Sequence, residues 1–262
     1  KSKKKGKIGY CAVKLDMHKA YDRVEWIFLE TMLSRLGFRG DFIELLMACV
    51  RSDKYRVRFN DQEIDMFVPS RGLRQGDPLS PYLFLLCAEG LSSALAQQEE
   101  VRGIEGVRVC RNAPSVSHLL FADDSLILMK ADMINATSLR SVLDAYCANS
   151  GQLISEAKCS IFFSPNVDVE IKAHMCTELN IHIEAISEKY LGLPSMVGLD
   201  KSDSFVYLLE RIIERLKGWK EKLLSTWAKE ILLKAVIQSI PVFAMAVFKI
   251  PKRLCKEMND AM

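Results

Sequence analysis

No Cys-x-x-Cys pair occurs in this 262-residue chain, although it has eight cysteines, at 11, 49, 87, 110, 147, 159, 176 and 255. Without that spacing neither a zinc ribbon nor a dithiol redox motif has a basis. Most of the eight lie among apolar neighbours and read as reduced, buried thiols of an intracellular protein. No secretory leader is expected, since Lys1-Ser2-Lys3-Lys4-Lys5 has no apolar run behind it. Nor does the chain begin with Met, and it reads as a piece of a longer polypeptide. The one stretch that approaches a membrane span, 231–250, contains Lys234, Gln238, Pro241 and Lys249, each costly in hydrocarbon. The expectation is a buried soluble helix that breaks at Pro241, with no membrane partner. No internal repeat is evident, and the Lys-rich start is the sole low-complexity stretch.

What is present supports a folded protein. At 49% hydrophobic and 26% charged, the chain can bury a sizeable core as one large or two modest domains, and general disorder is excluded. The net charge is only +3, but it is unevenly spread. Between Arg215 and Lys256 ten Lys/Arg face only Glu221 and Glu230, an excess of eight positive charges. Such a segment suits a phosphate backbone, although a solvated helix face would have the same composition.

Periodicity divides the chain. Residues 8–15 form an apolar run that ends in Asp16 and predicts a buried strand. Residues 24–36 carry a helical stripe stopped by Gly37, with Asp22 as a candidate cap, and a second helix spans 41–50. Segments 55–59 and 64–68 flank 60–63 as a hairpin. The Gly/Pro-dense run 70–81 predicts a turn leading into a helix over 82–98. Strand-like runs at 117–121 and 125–129 join through Ala122-Asp123-Asp124. A helix over 135–150 stops at Gly151, a strand follows at 158–164, and 188–197 reads as extended with turns at Gly192 and Gly198. From 201 onward the pattern is helical. The boundary falls near 185, giving units 1–185 and 186–262.

Asp16 closes an apolar strand, and Asp123-Asp124 occupies the tight junction of an apolar hairpin. Carboxylates at the ends of buried strands need compensation, and a divalent cation is the usual one. Mg²⁺ takes hard oxygens from one or two carboxylates and completes its shell with water and phosphate. Two such ions about 4 Å apart can activate a 3′-hydroxyl and stabilise a leaving pyrophosphate. Successive strand residues face opposite ways, so Asp16 and Asp123 are the principal candidate ligands and Asp124 a supporting one. An Asp-Asp pair is equally at home in a surface turn.

Five stretches taken in order resemble the reverse transcriptases of plant-type non-LTR (LINE-type) retrotransposons. Lys14-Leu15-Asp16-Met17-His18-Lys19-Ala20-Tyr21-Asp22-Arg23-Val24-Glu25-Trp26 is similar to the first palm motif of that family. Arg71-Gly72-Leu73-Arg74-Gln75-Gly76-Asp77-Pro78-Leu79-Ser80-Pro81 resembles the second, and Phe121-Ala122-Asp123-Asp124 the metal-binding third. Ser150-Gly151-Gln152 with Lys158 resembles the fourth, and Tyr190-Leu191-Gly192-Leu193-Pro194 the fifth, the primer grip. Gly218-Trp219-Lys220, Lys229-Glu230 and Pro241 continue the pattern of a thumb.

The resemblance implies an α+β fold: a polymerase palm, an antiparallel sheet backed by helices, followed by a helical thumb. The implied activity is that of an RNA-directed DNA polymerase, with Mg²⁺ (or Mn²⁺) held by Asp16, Asp123 and Asp124, and with RNA template, DNA primer and dNTPs as partners. By the same resemblance Tyr21 lies beneath the incoming sugar and blocks a 2′-hydroxyl. Gln75 and Gly76 contact the nucleotide and template, and Lys158 supplies a proton or charge to the pyrophosphate. Without the resemblance the same residues read as an aromatic packed beside a strand end, turn glycines and a surface lysine. Asp22 and Trp26 read as structural, and His18 is assigned no role. A nuclear location is what the family implies.

The fit departs in places. Trp227-Ala228 stands where a small residue and Gly usually precede the Lys-Glu pair, and Ser155 where Asn is common. The finger segment before Asp16, and any endonuclease or C-terminal module, is expected to be missing, so this fragment alone is expected to be nearly inactive. The alternatives are an inactive remnant that still binds nucleic acid, and a group II intron maturase-like polymerase.

Overall fold

The computed structural model describes residues 8–110, 112–183, 189–194, 201–220 and 224–262. The chain forms two compact units, residues 1–185 and 186–262.

The first unit contains β1 (Tyr10–Asp16), α1 (Trp26–Arg35), α2 (Gly40–Arg51), β2 (Arg58–Phe59), β3 (Gln62–Glu63), α3 (Ser80–Glu100), β4 (Val107–Arg108), β5 (Ser115–Val116), β6 (His118–Phe121), β7 (Asp124–Lys130), α4 (Met133–Ser150), β8 (Ser160–Phe163) and α5 (Val169–Leu179). Its main sheet has the order β6-β7-β1-β8, with every pairing antiparallel. Burial alternates along β1 and β7. Cys11, Val13 and Leu15, with Ser125, Ile127 and Met129, are buried, whereas Asp16 and Asp124 belong to the partly exposed set. The run read as a buried strand is buried on one face and partly covered on the other. Leu83, Phe84, Cys87 and Leu91 of α3 and Leu139, Leu143 and Tyr146 of α4 share the core with that face.

Local chemistry explains the ends of these elements. Asp132 caps α4, its Oδ1 accepting from the Asn135 backbone N–H at 2.9 Å. Gly151 ends the helix in the left-handed region at φ +74. Burial pushes the Asp132 carboxyl up, but hydrogen bonds from Asn135 and Lys130 outweigh it and hold the group below the ordinary aspartate value of 3.8. A depressed folded-state pKa stabilises the native state above the unfolded value, and this contribution is lost as pH falls through the folded one. Asp132→Ala is expected to cost about 1–2 kcal/mol at pH 7. Urea unfolding of both proteins should show that difference shrinking below pH 3.8; a pH-independent gap would refute the assignment.

Several expectations need correction. Asp22 does not cap α1: the N-cap is Glu25, which makes no side-chain cap bond, and Asp22 Oδ1 instead accepts from Gln75 Nε2 at 3.1 Å. The hairpin at 55–68 turns on Asn60-Asp61 alone, both with positive φ (49° and 61°), rather than on four residues. Asn and Asp tolerate that conformation, which a two-residue turn requires. Helix α5 and the β4–β5 ribbon carry too few buried residues to show a period. Cys49 and Cys110 are exposed, although Cys11, Cys87 and Cys159 are buried, and burial raises the Cys87 thiol to about 12.

The second unit contains β9 (Lys189–Tyr190) and β10 (Leu193–Pro194), paired across Leu191-Gly192, then α6 (Lys201–Lys220), α7 (Thr226–Leu232), α8 (Ser239–Val247) and α9 (Lys252–Ala261). The expected turn at Gly198 lies outside the described residues. Phe205, Leu208 and Ile212 of α6 form a core with Ile237, Ala244, Ile250, Leu254 and Met258.

The stretch read as a buried helix broken at Pro241 is neither. A π-helical turn, Leu233–Ile237, links α7 to α8, and the helical backbone runs through Pro241, the third residue of α8. Trp227, Ile231, Val242, Phe243, Met245 and Val247 are exposed. Residues Thr226–Val247 are long and apolar enough to cross a membrane by length and composition, although Glu230 and Lys234 form an ion pair within them at 2.7 Å.

Candidate nucleotidyl-transfer site

The end of β1 and the start of β7 meet at one end of the two central strands of the main sheet. Asp16 is the last residue of β1 and lies opposite Asp124, the first residue of β7. Phe121 pairs with Asp124 across a two-residue turn, in which Ala122 takes the left-handed conformation at φ +51 and Asp123 is presented to solvent. Like charges directly opposite on a ladder repel. Burial pushes the Asp124 carboxyl above its ordinary range; Asp123 and Asp16 push the same way, and Lys14 opposes them.

The motif rich in Gly and Pro packs against the segment that follows β1. The Gly72 N–H donates to the Val24 carbonyl, the Leu73 N–H to the Tyr21 carbonyl and Trp26 Nε1 to the Gly72 carbonyl, each at 2.8 Å. Trp26 is thus a hydrogen-bonded tie between the two motifs. Gly72 sits at φ +92, and a Cβ there would lie 2.8 Å from the Asp22 carbonyl oxygen, so glycine is required on both counts. Further along, the Leu79 N–H donates to Asp77 Oδ1 at 2.7 Å, and Pro81 stands in the first turn of α3.

On the other side residues 150–155 run beside residues 16–25 as a strap. The Glu25 N–H donates to the Ser150 carbonyl at 2.9 Å and the His18 N–H to that of Leu153 at 2.7 Å. The Ser155 N–H donates to the Asp16 carbonyl at 2.9 Å, and the Asp16 N–H to Cys159 Sγ at 3.4 Å. Ser155 makes that contact through its backbone, so its departure from Asn leaves the bond intact.

Between these walls lies a cleft of about 660 Å³. Of the residues singled out in the sequence, Asp16, Tyr21, Gln75, Gly76, Asp123 and Lys158 line it, and Asp124 does not. Lys158 Nζ stands 3.6 Å from Asp16 Oδ1. The Tyr21 ring stacks on Phe84 with centroids 4.7 Å apart and an interplanar angle of 12°. Burial raises the Tyr21 phenol and the Asp123 carboxylate adds to it, so the hydroxyl stays protonated. Lys19, Asp77 and Ser80 also line the cleft. Sequence reasoning gave them no role, although all three stand inside the motif stretches.

The donor set fits a hard divalent cation. No three His, Cys, Asp or Glu side chains converge as a ready cage among the described residues. Mg²⁺ needs only one or two carboxylates, however, with water and phosphate completing its shell. Asp16 and Asp123 supply these in one cleft, and Asp124 lies across the ladder from Asp16.

Residues 1–208 match the family model described as reverse transcriptase (RNA-dependent DNA polymerase). Over 228 residues the chain is 26% identical to the Transposon TX1 uncharacterized 149 kDa protein of Xenopus laevis, covering 86% of this chain and 17% of that one. Over 221 residues it is 28% identical to the retrovirus-related Pol polyprotein from type-1 retrotransposable element R2 of Popillia japonica, covering 81% and 35%. The chain spans less than half the length of these curated relatives. In fold it is similar to the structure of telomerase from Candida albicans in complex with the TWJ fragment of telomeric RNA (TM-score 0.50, 12% identity, 96% of this chain and 42% of that one).

Proposed function

Because the chain belongs to the reverse transcriptase family, we propose that it carries the nucleotidyl-transfer centre of a non-LTR retrotransposon polymerase. On this reading it adds deoxynucleotides to a primer 3′-hydroxyl against an RNA template. One observation carries the reading: acids from two motifs, the Gln75-Gly76 turn, the Tyr21 ring and Lys158 all open onto one cleft.

In this reading Asp16 and Asp123, supported by Asp124, hold two Mg²⁺ ions. Bound there, the ions supply Lewis-acid stabilisation of the phosphoryl oxygens and ease deprotonation of the primer hydroxyl. The rest is done by the chain's own groups. Tyr21, braced flat against Phe84, is a floor beneath the sugar that leaves no room for a 2′-hydroxyl. Gln75 and Gly76 border the base and template, and Gly76 keeps its φ of +87 with open space around it. Lys158 is paired with Asp16 but largely exposed, so its ammonium can turn to the leaving pyrophosphate and place positive charge or a proton there. In the second unit, exposed Lys217, Lys229, Lys249, Lys252 and Lys256 suit the phosphate backbone of a template–primer duplex.

Primer extension tests the reading. The chain, expressed with whatever its reading frame encodes on either side, is given an RNA template, a DNA primer and dNTPs. Extension with Mg²⁺ that stops on chelation and returns with Mg²⁺ or Mn²⁺ is the expected result. A folded protein that binds template–primer yet never extends it would instead be an inactive remnant.

A further inference from the structure

Gln152 follows Gly151, the left-handed residue that ends α4, and is 3% exposed. Nε2 donates to the Ala20 carbonyl at 2.8 Å. That bond fixes the orientation of the amide, because the reverse would set two acceptors face to face. Oε1 is buried with no hydrogen-bond partner among the described residues. An orphaned buried acceptor is costly. An apolar side chain of similar size would fill the same space without that cost, so what glutamine adds is its hold on Ala20.

The held carbonyl belongs to the peptide that enters Tyr21. The next peptide is held from the opposite side, where the Tyr21 carbonyl accepts from the Leu73 N–H at 2.8 Å. Two successive peptide planes are thus pinned by two different motifs, and the ring between them is fixed by Phe84. Gly151 keeps the strap close: a Cβ there would lie 2.6 Å from the Arg23 carbonyl oxygen, and Arg23 Nε donates to the Gly151 carbonyl at 3.0 Å.

We infer that Gln152 is a positioning residue that sets where Tyr21 stands in the cleft, and through it the discrimination between deoxy- and ribonucleotides. The discrimination rests on the polymerase reading; the hold on the turn does not. Gln152→Met keeps the volume and removes both the donor and the orphaned acceptor, so the melting temperature should move little.

The test uses the chain with its flanking sequence and two readouts. Amide exchange across residues 18–23 should accelerate about tenfold in Gln152→Met while exchange within α4 is unaltered. The ratio of kcat/KM for dNTP over rNTP should fall about tenfold, with kcat for dNTP nearly unchanged. Added to Tyr21→Ala, the substitution should cause no further loss of discrimination. Unchanged exchange across 18–23 overturns the inference, as does an equal fall for both nucleotides. If the wild type incorporates neither nucleotide, the polymerase reading fails, and the exchange measurement alone decides whether Gln152 holds the turn. Should Gln152→Met not fold, Arg23→Met releases the strap from its surface side. It must loosen residues 18–23 likewise, and unchanged protection there is again fatal.

Discussion

Asp123→Asn is expected to lower primer extension about 10³-fold, close to 4 kcal/mol of transition-state stabilisation, while leaving the fold intact. Asp123 lies in an exposed two-residue turn whose left-handed position is taken by Ala122. Asn has the same shape and suits turns, so nothing in the backbone is strained. The substitution also relieves crowding, since Asp123 is one of the charges that push the Asp124 carboxyl up. Stability should therefore hold or rise slightly, and only a charge-dependent role can account for a large loss of activity. Asp16→Asn should match the loss but also free Lys158 from its partner at 3.6 Å. Single-nucleotide incorporation and thermal unfolding of the same preparations provide the measurement. Full activity in Asp123→Asn would remove the carboxylate from the mechanism, and loss of activity together with unfolding would make its role structural.

Gly72→Ala should be the most damaging small substitution in the cleft wall, costing about 3 kcal/mol. Part of this is the left-handed backbone, about 1–2 kcal/mol for a residue with a Cβ. The remainder is overpacking against the Asp22 carbonyl, where the new Cβ would lie at 2.8 Å. Gly37 separates the two contributions. It has a similar φ of +86 but nothing within 4 Å of a built Cβ, so Gly37→Ala should cost the backbone part alone. The gap between the two variants in urea unfolding measures the close approach, and equal losses would show that Asp22 yields without cost. Displacing Asp22 would also disturb its bond from Gln75 and the neighbouring Tyr21, so Gly72→Ala should impair nucleotide binding even where the protein remains folded.

Most residues that line the cleft were legible in the sequence because their motifs are local. Asp16 at the end of an apolar run, Asp123-Asp124 at a hairpin junction and the Gly/Pro-rich stretch before α3 each announce themselves within about ten residues. Apolar runs and turn signals likewise placed most of the main sheet and its backing helices, although the alternating burial of β1 and β7 showed only in the fold. Helix α5 and the β4–β5 ribbon left little trace, because only Met175 and Leu179 of α5 are buried and the ribbon strands are two residues each. The apolar segment around Pro241 misled for a different reason. Composition reports that a segment is greasy, not whether neighbours cover it, and here most of its large side chains remain exposed.

By itself, then, the sequence determined the inventory: which residue types stand at strand ends and turns, in which order, and hence the family. Tertiary structure alone decided the partnerships. Asp22 turned out to accept from Gln75 rather than cap a helix, Trp26 to tie two motifs together and Gln152 to hold the peptide before Tyr21. None of these could be read along the chain, because each joins residues 46 to 132 positions apart. Local pattern fixes what a segment can offer, whereas hydrogen bonds between distant segments depend on where the whole chain brings them together.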